Sequence, residues 1–200
     1  NNNNNINNKR MIKSPSKSIR NVSSPLKLDK NDENISKRSD NLDWDEYFLS
    51  VATLSSMRSK DPSTQVGACI VNKQKRIVGI GYNGFPTGCN DNKLPWNRKH
   101  SKGINHTKYP YVVHAETNAI LNKNSATCTN CTMYVILFPC NDCAKLIIQS
   151  GITNIIYISD KYKMTEKVIA SKKLLDLAGV EYKQYTPKNK SILIKFPEPQ

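Results

Sequence analysis

The chain lacks the features that would place it in a membrane or a secretory pathway. None of its apolar runs approaches the roughly 18 residues that a membrane-spanning helix requires. The N-terminal charges are not followed by a continuous apolar stretch, and acidic residues intrude among them, so we expect neither a secretory signal nor a transit peptide. We therefore expect a cytoplasmic protein, in which cysteines bind metal or are buried thiols rather than disulfides.

Acidic residues are few, with 16 Asp and Glu against 30 Lys and Arg, for a net charge of +14. Such an excess favours an anionic partner, such as nucleic acid. However, residues 1–42 hold nine basic and four acidic side chains in an Asn-, Ser- and Lys-rich segment without helical or strand periodicity. We predict that residues 1–42 are a disordered arm, either a spacer or a docking or targeting segment. Residues 43–200 are long enough to form one domain with a substantial core.

Hydrophobic periodicity predicts alternating helices and strands through the folded part. Helices are predicted over residues 43–57, 114–122, 140–149 and 165–178, and strands over residues 65–71, 76–82, 132–138 and 154–158, with a short candidate last strand at 192–194. The first two strands form a hairpin, and the helices between later strands indicate parallel pairing. We therefore predict an α/β fold, a three-layer α/β/α sandwich with a mixed, roughly five-stranded sheet.

Two short motifs, His-Ala-Glu and Pro-Cys-Asn-Asp-Cys, each begin a predicted helix. His114, Cys140 and Cys143 supply one imidazole and two thiols, and the two cysteines are three residues apart on one helix face. Three protein ligands suit a catalytic zinc, which keeps its fourth position for water. A helix N-terminus favours the thiolate that zinc needs. We predict one catalytic Zn²⁺ ion per subunit.

Glu116 lies two residues after His114, a spacing that does not suit a further zinc ligand. The side chain is better placed to take a proton from water and pass it to a leaving group. The combined pattern H-x-E…P-C-x-x-C is the signature of zinc deaminases. The alternative is a purely structural zinc site with a solvated glutamate.

The remaining cysteines carry weaker signals. Cys128 and Cys131 form a second C-x-x-C, which is either a pair of free thiols or a second zinc site completed by His100 or His106. Cys69 lies within a predicted strand and is expected to be a small buried hydrophobe.

Longer sequence blocks around these motifs resemble the cytidine/deoxycytidylate deaminase superfamily, and within it the enzymes that act on deoxycytidylate (dCMP). The resemblance covers roughly residues 44–196, and the blocks that carry it are residues 58–68, 79–86, 108–112, 137–140 and 159–162. The Asn-rich N-terminal segment has no counterpart in the family pattern.

The resemblance implies hydrolysis of dCMP to dUMP and ammonia, which supplies thymidylate synthesis. Glu116 is then the catalytic acid and base, the backbone N–H of Ala115 binds the base, and Asn83 contacts the sugar. The cationic and hydroxyl-bearing elements Arg58-Ser59-Lys60 and Lys161-Tyr162 are candidates for the phosphate.

The family also implies a homohexamer that is activated by dCTP and inhibited by dTTP, with Mg²⁺ on the triphosphate. Gly81, Tyr82 and Gly84 resemble the element that family members use for this effector. The alternative function is a deaminase of tRNA or single-stranded DNA with the same zinc site, which the net charge favours. The mononucleotide blocks and a basic surface that steers phosphates argue against a polymer partner.

Overall fold

The computed structural model describes residues 36–189 and 191–199 of the chain. Residues 41–188 form one unit, which carries every helix and strand given below. Most of the predicted arm lies outside the described residues, and so the prediction of disorder there stays a prediction. No helix in the described part is long and apolar enough to cross a membrane.

Five strands form one mixed sheet in the order β2-β1-β3-β4-β5. Their bounds are β1 Gly67–Val71, β2 Ile77–Tyr82, β3 Thr132–Leu137, β4 Asn154–Ser159 and β5 Glu181–Gln184. β1 pairs antiparallel with both β2 and β3, whereas β3, β4 and β5 pair in parallel. The helices after β3 and β4 make the parallel crossovers.

Four α-helices cover the two faces of this sheet: α1 Trp44–Ser56, α2 Ala115–Leu121, α3 Asn141–Gln149 and α4 Glu166–Leu177. Strand residues alternate between faces. Cys69 and Tyr134 pack against α1, with the ring of Phe48 5.1 Å from that of Tyr134. Ala68, Ile70, Met133 and Val135 belong to the larger cluster, which they share with residues of α2, α3 and α4. The predicted three-layer α/β/α fold with a mixed five-stranded sheet is confirmed.

Two strand glycines allow the helices to approach the sheet closely. A Cβ atom at Gly67 would lie 1.9 Å from the carbonyl oxygen of Ala52 in α1. A Cβ atom at Gly81 would lie 2.3 Å from the carbonyl oxygen of Ala115 in α2. A side chain would therefore separate each helix from the sheet.

The predicted last strand at residues 192–194 is wrong, because the described residues there form no strand. The fifth strand is instead β5, which follows the turn at Gly179 and forms the edge of the sheet beside β4. Its sequence, Glu-Tyr-Lys-Gln, has no apolar run because a mostly exposed edge strand needs none. Beyond it, Tyr185 and Lys188 both donate hydrogen bonds to Asp43, the N-cap of α1.

Candidate active site

The three predicted metal ligands lie together where two helices begin. His114 is the N-cap of α2, Cys140 is the N-cap of α3, and Cys143 follows in the first turn of α3. The Nδ1 atom of His114 lies 3.5 Å from the Sγ atom of Cys140 and 3.3 Å from that of Cys143. One nitrogen and two sulfurs within 4.8 Å of one another form a donor set that suits zinc.

The electrostatics of this cluster favour a thiolate. A hydrogen bond from the Cys143 thiol lowers the pKa of Cys140 to about 4, and the same contact raises the pKa of Cys143. The hydrogen bond to Cys140 raises the pKa of His114 to about 9. A bound metal displaces the protons of its ligands, because it requires thiolates and a neutral imidazole. The donor set, its spacing and its place at two helix N-termini therefore fit a zinc ion.

Glu116 occupies the first turn of α2 and is 4% exposed. Burial is the main reason that its carboxyl pKa is raised above the ordinary value. A raised pKa allows the carboxyl group to take up a proton and to release it again, as an acid–base catalyst must. Glu116 lines the same cavity as His114, Cys140 and Cys143.

The cavity has a volume of about 610 Å³, which falls in the usual range for small-molecule sites. Its cations are Arg98, Lys108 and Lys167. Arg98 donates a hydrogen bond to the hydroxyl of Tyr109, 3.3 Å away, so an aromatic side chain holds the guanidinium at the cavity. The space can therefore take an anionic ligand of nucleotide size beside the metal ligands and Glu116.

The structure brings together only some of the predicted substrate residues. Asn83, Ala115 and Tyr162 line the cavity, and Lys161 stacks over the ring of Tyr162, 5.1 Å from its centroid, without lining it.

The element Arg58-Ser59-Lys60 also lies outside the cavity lining. Lys60 is exposed and forms an ion pair with Asp91, and the Ser59 hydroxyl accepts a hydrogen bond from the backbone N–H of Asp61. These groups are therefore occupied by other contacts.

The predicted effector residues have structural contacts of their own. Gly81 lies under α2, the carbonyl of Tyr82 accepts a hydrogen bond from Asn118, and Gly84 forms a bridge with Val113. None of the three lines the cavity. Their role toward an effector stays a prediction.

The second C-x-x-C consists of buried free thiols at Cys128 and Cys131. Within the described part of the chain, the only group of three metal-ligating side chains is that of His114, Cys140 and Cys143. The rings of His100 and His106 stack on each other, with centroids 4.9 Å apart. The described residues therefore hold no second three-ligand site at these cysteines.

Sequence reasoning missed Arg98, Lys167 and a buried ion pair between Asp61 and Lys108. Asp61 and Lys108 lie in two of the blocks that carry the family resemblance, residues 58–68 and 108–112, but the sequence assigns neither side chain a role. The two residues are 47 positions apart, so no local pattern could pair them. The pairing of these two side chains can be predicted only once the fold is known.

A mixed sheet between helices, with H-x-E and P-C-x-x-C motifs at two adjacent helix N-termini, defines the class of zinc-binding deaminases. The family model for the cytidine and deoxycytidylate deaminase zinc-binding region matches residues 42–159. The chain belongs to this family, as its sequence blocks predicted.

Named relatives agree with this assignment. The chain is 59% identical to deoxycytidylate deaminase of Mus musculus over 160 residues, which are 80% of this chain and 89% of that protein. It is 56% identical to the Homo sapiens deoxycytidylate deaminase over 160 residues, with the same coverage of both chains. A crystal structure of the dCMP deaminase from the cyanophage S-TIM5, in complex with dCMP and dUMP, is similar with a TM-score of 0.56 and 28% identity. That match covers 70% of this chain and 95% of the other.

Proposed function

We propose that the chain is a zinc-dependent deoxycytidylate deaminase that converts dCMP and water to dUMP and ammonia. The observation that carries this proposal is the position of buried Glu116 beside His114, Cys140 and Cys143 in the wall of one nucleotide-sized cavity. The 59% identity to a mouse protein of that name supports dCMP as the substrate.

His114, Cys140 and Cys143 would hold one zinc ion per subunit. When bound, zinc lowers the pKa of a water molecule so that it becomes a nucleophile near neutral pH. Glu116 takes the proton released from this water and delivers it to N3 of the pyrimidine, which makes C4 more electrophilic. After the water oxygen has bonded to C4, Glu116 takes the remaining proton of that hydroxyl group and passes it to the amino group, so that the C4–N bond breaks, ammonia leaves and the C4 carbonyl of dUMP forms.

Ala115 orients the base in this proposal. It is the first residue of α2, where the helix leaves backbone N–H groups without an intrahelical acceptor. Its N–H, which lies between the metal ligand His114 and Glu116 in the chain, donates to O2 of the base. The pyrimidine ring then has one fixed edge, and its C4 faces the two catalytic groups.

The cations of the cavity favour a phosphate-bearing substrate. Arg98 and Lys167 line the cavity without a carboxylate partner among the ion pairs of the described residues. We place the 5′-phosphate with these two side chains and with Tyr162. Contacts from Arg58, Ser59, Lys60 or Lys161 would require the phosphate to extend beyond the cavity lining.

The proposal also includes regulation by nucleotides, because the chain belongs to the deaminase family. The enzyme is a cytoplasmic homohexamer that is activated by dCTP and inhibited by dTTP, each with Mg²⁺ on its triphosphate, and its product feeds thymidylate synthesis. Gly81, Tyr82 and Gly84 are the proposed effector contacts. Apart from its chain neighbours, no described residue has a heavy atom within 4 Å of the position that a Cβ atom of Gly84 would take, and so this position is open to a ligand.

One assay tests substrate and regulation together. The purified chain is given dCMP, with and without dCTP or dTTP, and in parallel single-stranded DNA and tRNA. The expected result is release of ammonia and dUMP from dCMP, faster with dCTP and slower with dTTP, with no product from either polymer. Deamination of a polymer without turnover of dCMP would favour the nucleic-acid alternative and refute this proposal.

A further inference from the structure

Asp61 and Lys108 form an ion pair in the wall of the cavity. The Nζ atom of Lys108 lies 2.7 Å and 2.5 Å from the two carboxylate oxygens of Asp61. The side chain of Lys108 is only 8% exposed and that of Asp61 only 2%. No other ion pair of the described residues has both partners so deeply buried. The ion pair is therefore part of the protein interior and not a surface salt bridge.

Stability alone is a weak reason for such a pair. The loss of hydration of two buried charges offsets most of their attraction, so an apolar pair of similar volume is often as stable. Both side chains line the cavity that contains Glu116 and the metal ligands. A contact with the bound ligand is a better reason to keep two charges there.

The hydrogen-bond donors of Lys108 are not all used. A lysine ammonium group has three N–H donors and no acceptor. Two of them satisfy the oxygens of Asp61, and the described residues offer no third acceptor. At least one N–H of a cavity-lining ammonium group is thus free for a ligand.

Asp61, in contrast, is fully engaged. Its oxygens also accept hydrogen bonds from the backbone N–H groups of Ser63 (2.8 Å) and Thr64 (3.1 Å) and from the side-chain amide of Asn83 (3.3 Å). Asp61 therefore holds both Lys108 and Asn83, which brings these two side chains side by side.

Asn83 has one capacity left. Its amide nitrogen donates to Asp61 and to the carbonyl of Thr64, and its amide oxygen accepts one bond, from the N–H of Val66 at 2.8 Å. An amide oxygen can accept a second bond. The free donor of Lys108 and the free acceptor position of Asn83 together match a hydroxyl group, which both accepts and donates.

A neutral hydroxyl suits this position better than a phosphate does. The ion pair has no net charge, whereas Arg98 and Lys167 line the same cavity and neither forms an ion pair among the described residues. The sugar of dCMP carries one free hydroxyl, at the 3′ position. We propose that Lys108 is a substrate-contacting residue that donates to the 3′-hydroxyl of the sugar, and that Asp61 is the positioning residue that holds Lys108 and Asn83 for it. This inference rests on the proposed function.

A thermodynamic cycle that combines the substitution of Lys108 with removal of the 3′-hydroxyl of the substrate tests the contact. The unaltered full chain and Lys108→Met are each assayed with dCMP and with 2′,3′-dideoxycytidine 5′-monophosphate, which lacks the 3′-hydroxyl. Because a hydrogen bond to a charged group contributes roughly tenfold or more in binding, removal of the hydroxyl should lower kcat/KM of the unaltered chain by about tenfold or more. In Lys108→Met the same removal should cost clearly less than in the unaltered chain, because the charged donor is already absent and only the weaker contact with Asn83 remains to be lost.

A matched variant controls for the loss of any ion-paired lysine. Lys188 pairs with Asp43 at the start of α1 and does not line the cavity. Lys188→Met should keep the full dependence on the 3′-hydroxyl. An equal dependence on the hydroxyl in Lys108→Met would overturn the inference.

The double variant Asp61→Asn with Lys108→Met separates ligand contact from structural support. It removes both buried charges together, so its thermal unfolding should be closer to that of the unaltered chain than the unfolding of either single variant. The proposal requires that its dependence on the 3′-hydroxyl stay as small as in Lys108→Met, whereas recovery of the full dependence together with the stability would show a merely structural role. If the unaltered chain turns over dCMP but the effects of Lys108→Met and of removing the 3′-hydroxyl simply add, this inference alone is overturned. If the unaltered chain does not turn over dCMP, the proposed function is overturned as well.

Discussion

Gly81→Ala is expected to damage the site through the position of a helix. The new Cβ atom would lie 2.3 Å from the carbonyl oxygen of Ala115 and 2.3 Å from the backbone nitrogen of Ala119, both in α2. Backbone atoms cannot rotate away, so α2 must move by at least about 0.7 Å to bring these contacts to 3.0 Å. His114 and Glu116 stand at the N-terminus of α2 and move with it.

Two magnitudes follow from this displacement. Overpacking of a filled interior costs about 1–3 kcal/mol of unfolding free energy. For a domain of this size, that is a fall in Tm of about 2–12 °C. A misplacement near 1 Å of catalytic groups costs about 100-fold in rate, so kcat/KM for dCMP should fall by about that factor in the folded enzyme.

The assay compares Gly81→Ala with Gly67→Ala. A Cβ atom at Gly67 would lie 1.9 Å from the carbonyl oxygen of Ala52, in α1, which contributes no cavity residue. Both variants should lose Tm, but only Gly81→Ala should lose kcat/KM when activity is measured well below both Tm values and without dCTP. Equal losses of activity in the two variants, or an unchanged Gly81→Ala enzyme, would refute the reasoning.

Three further predictions concern the chemistry, the pH dependence and the N-terminal segment. Glu116→Gln should lower kcat for dCMP by about 10²–10⁴-fold while elemental analysis still finds bound zinc, and an active variant would contradict the proposed proton transfers. The pKa of Asp43 is lowered to about 2, mainly by its hydrogen bond to Lys188, so its charge stabilises the fold above its ordinary pKa near 4 and that contribution is lost as pH falls toward 2. Asp43→Asn keeps an N-capping side chain, so urea unfolding at pH 5 and pH 3 should differ less than in the unaltered chain, and an equal difference would argue against the charge. Deletion of residues 1–40 should leave zinc content and dCMP turnover unchanged, because the family match begins at residue 42; a large loss of either would show a role for that segment.

Much of the fold follows from local patterns. Helix α1 begins after its predicted cap Asp43, whose carboxylate accepts a hydrogen bond from the N–H of Glu46. The predicted strands β1, β3 and β4 are recovered to within two residues because each is apolar and largely buried. Strand β5 escaped prediction because it pairs along one side only and exposes polar side chains. Its place depends on the free edge of β4, which is a property of the assembled sheet.

The metal ligands were predictable from the sequence, whereas the ion pair in the cavity wall was not. Cys140 and Cys143 are three residues apart and His114 begins another helix, and it is the combined signature of the two short motifs that predicted a shared site. Lys108 and Asp61 have no such signal, because their contact spans 47 positions and depends on how the loop before α2 returns to the end of α1.

The sequence by itself determined the order of the helices and of the first four strands, and it predicted His114, Cys140 and Cys143 as zinc donors and Glu116 as the acid–base residue, since periodicity, helix caps and short motifs act over a few residues. Only the tertiary structure decided which cations line the cavity, that Arg58, Ser59, Lys60 and Lys161 stand outside it, and that Asp61 holds Lys108 beside Asn83. The physical reason is that a buried charge is tolerated only beside its partner, and the fold alone brings such partners together.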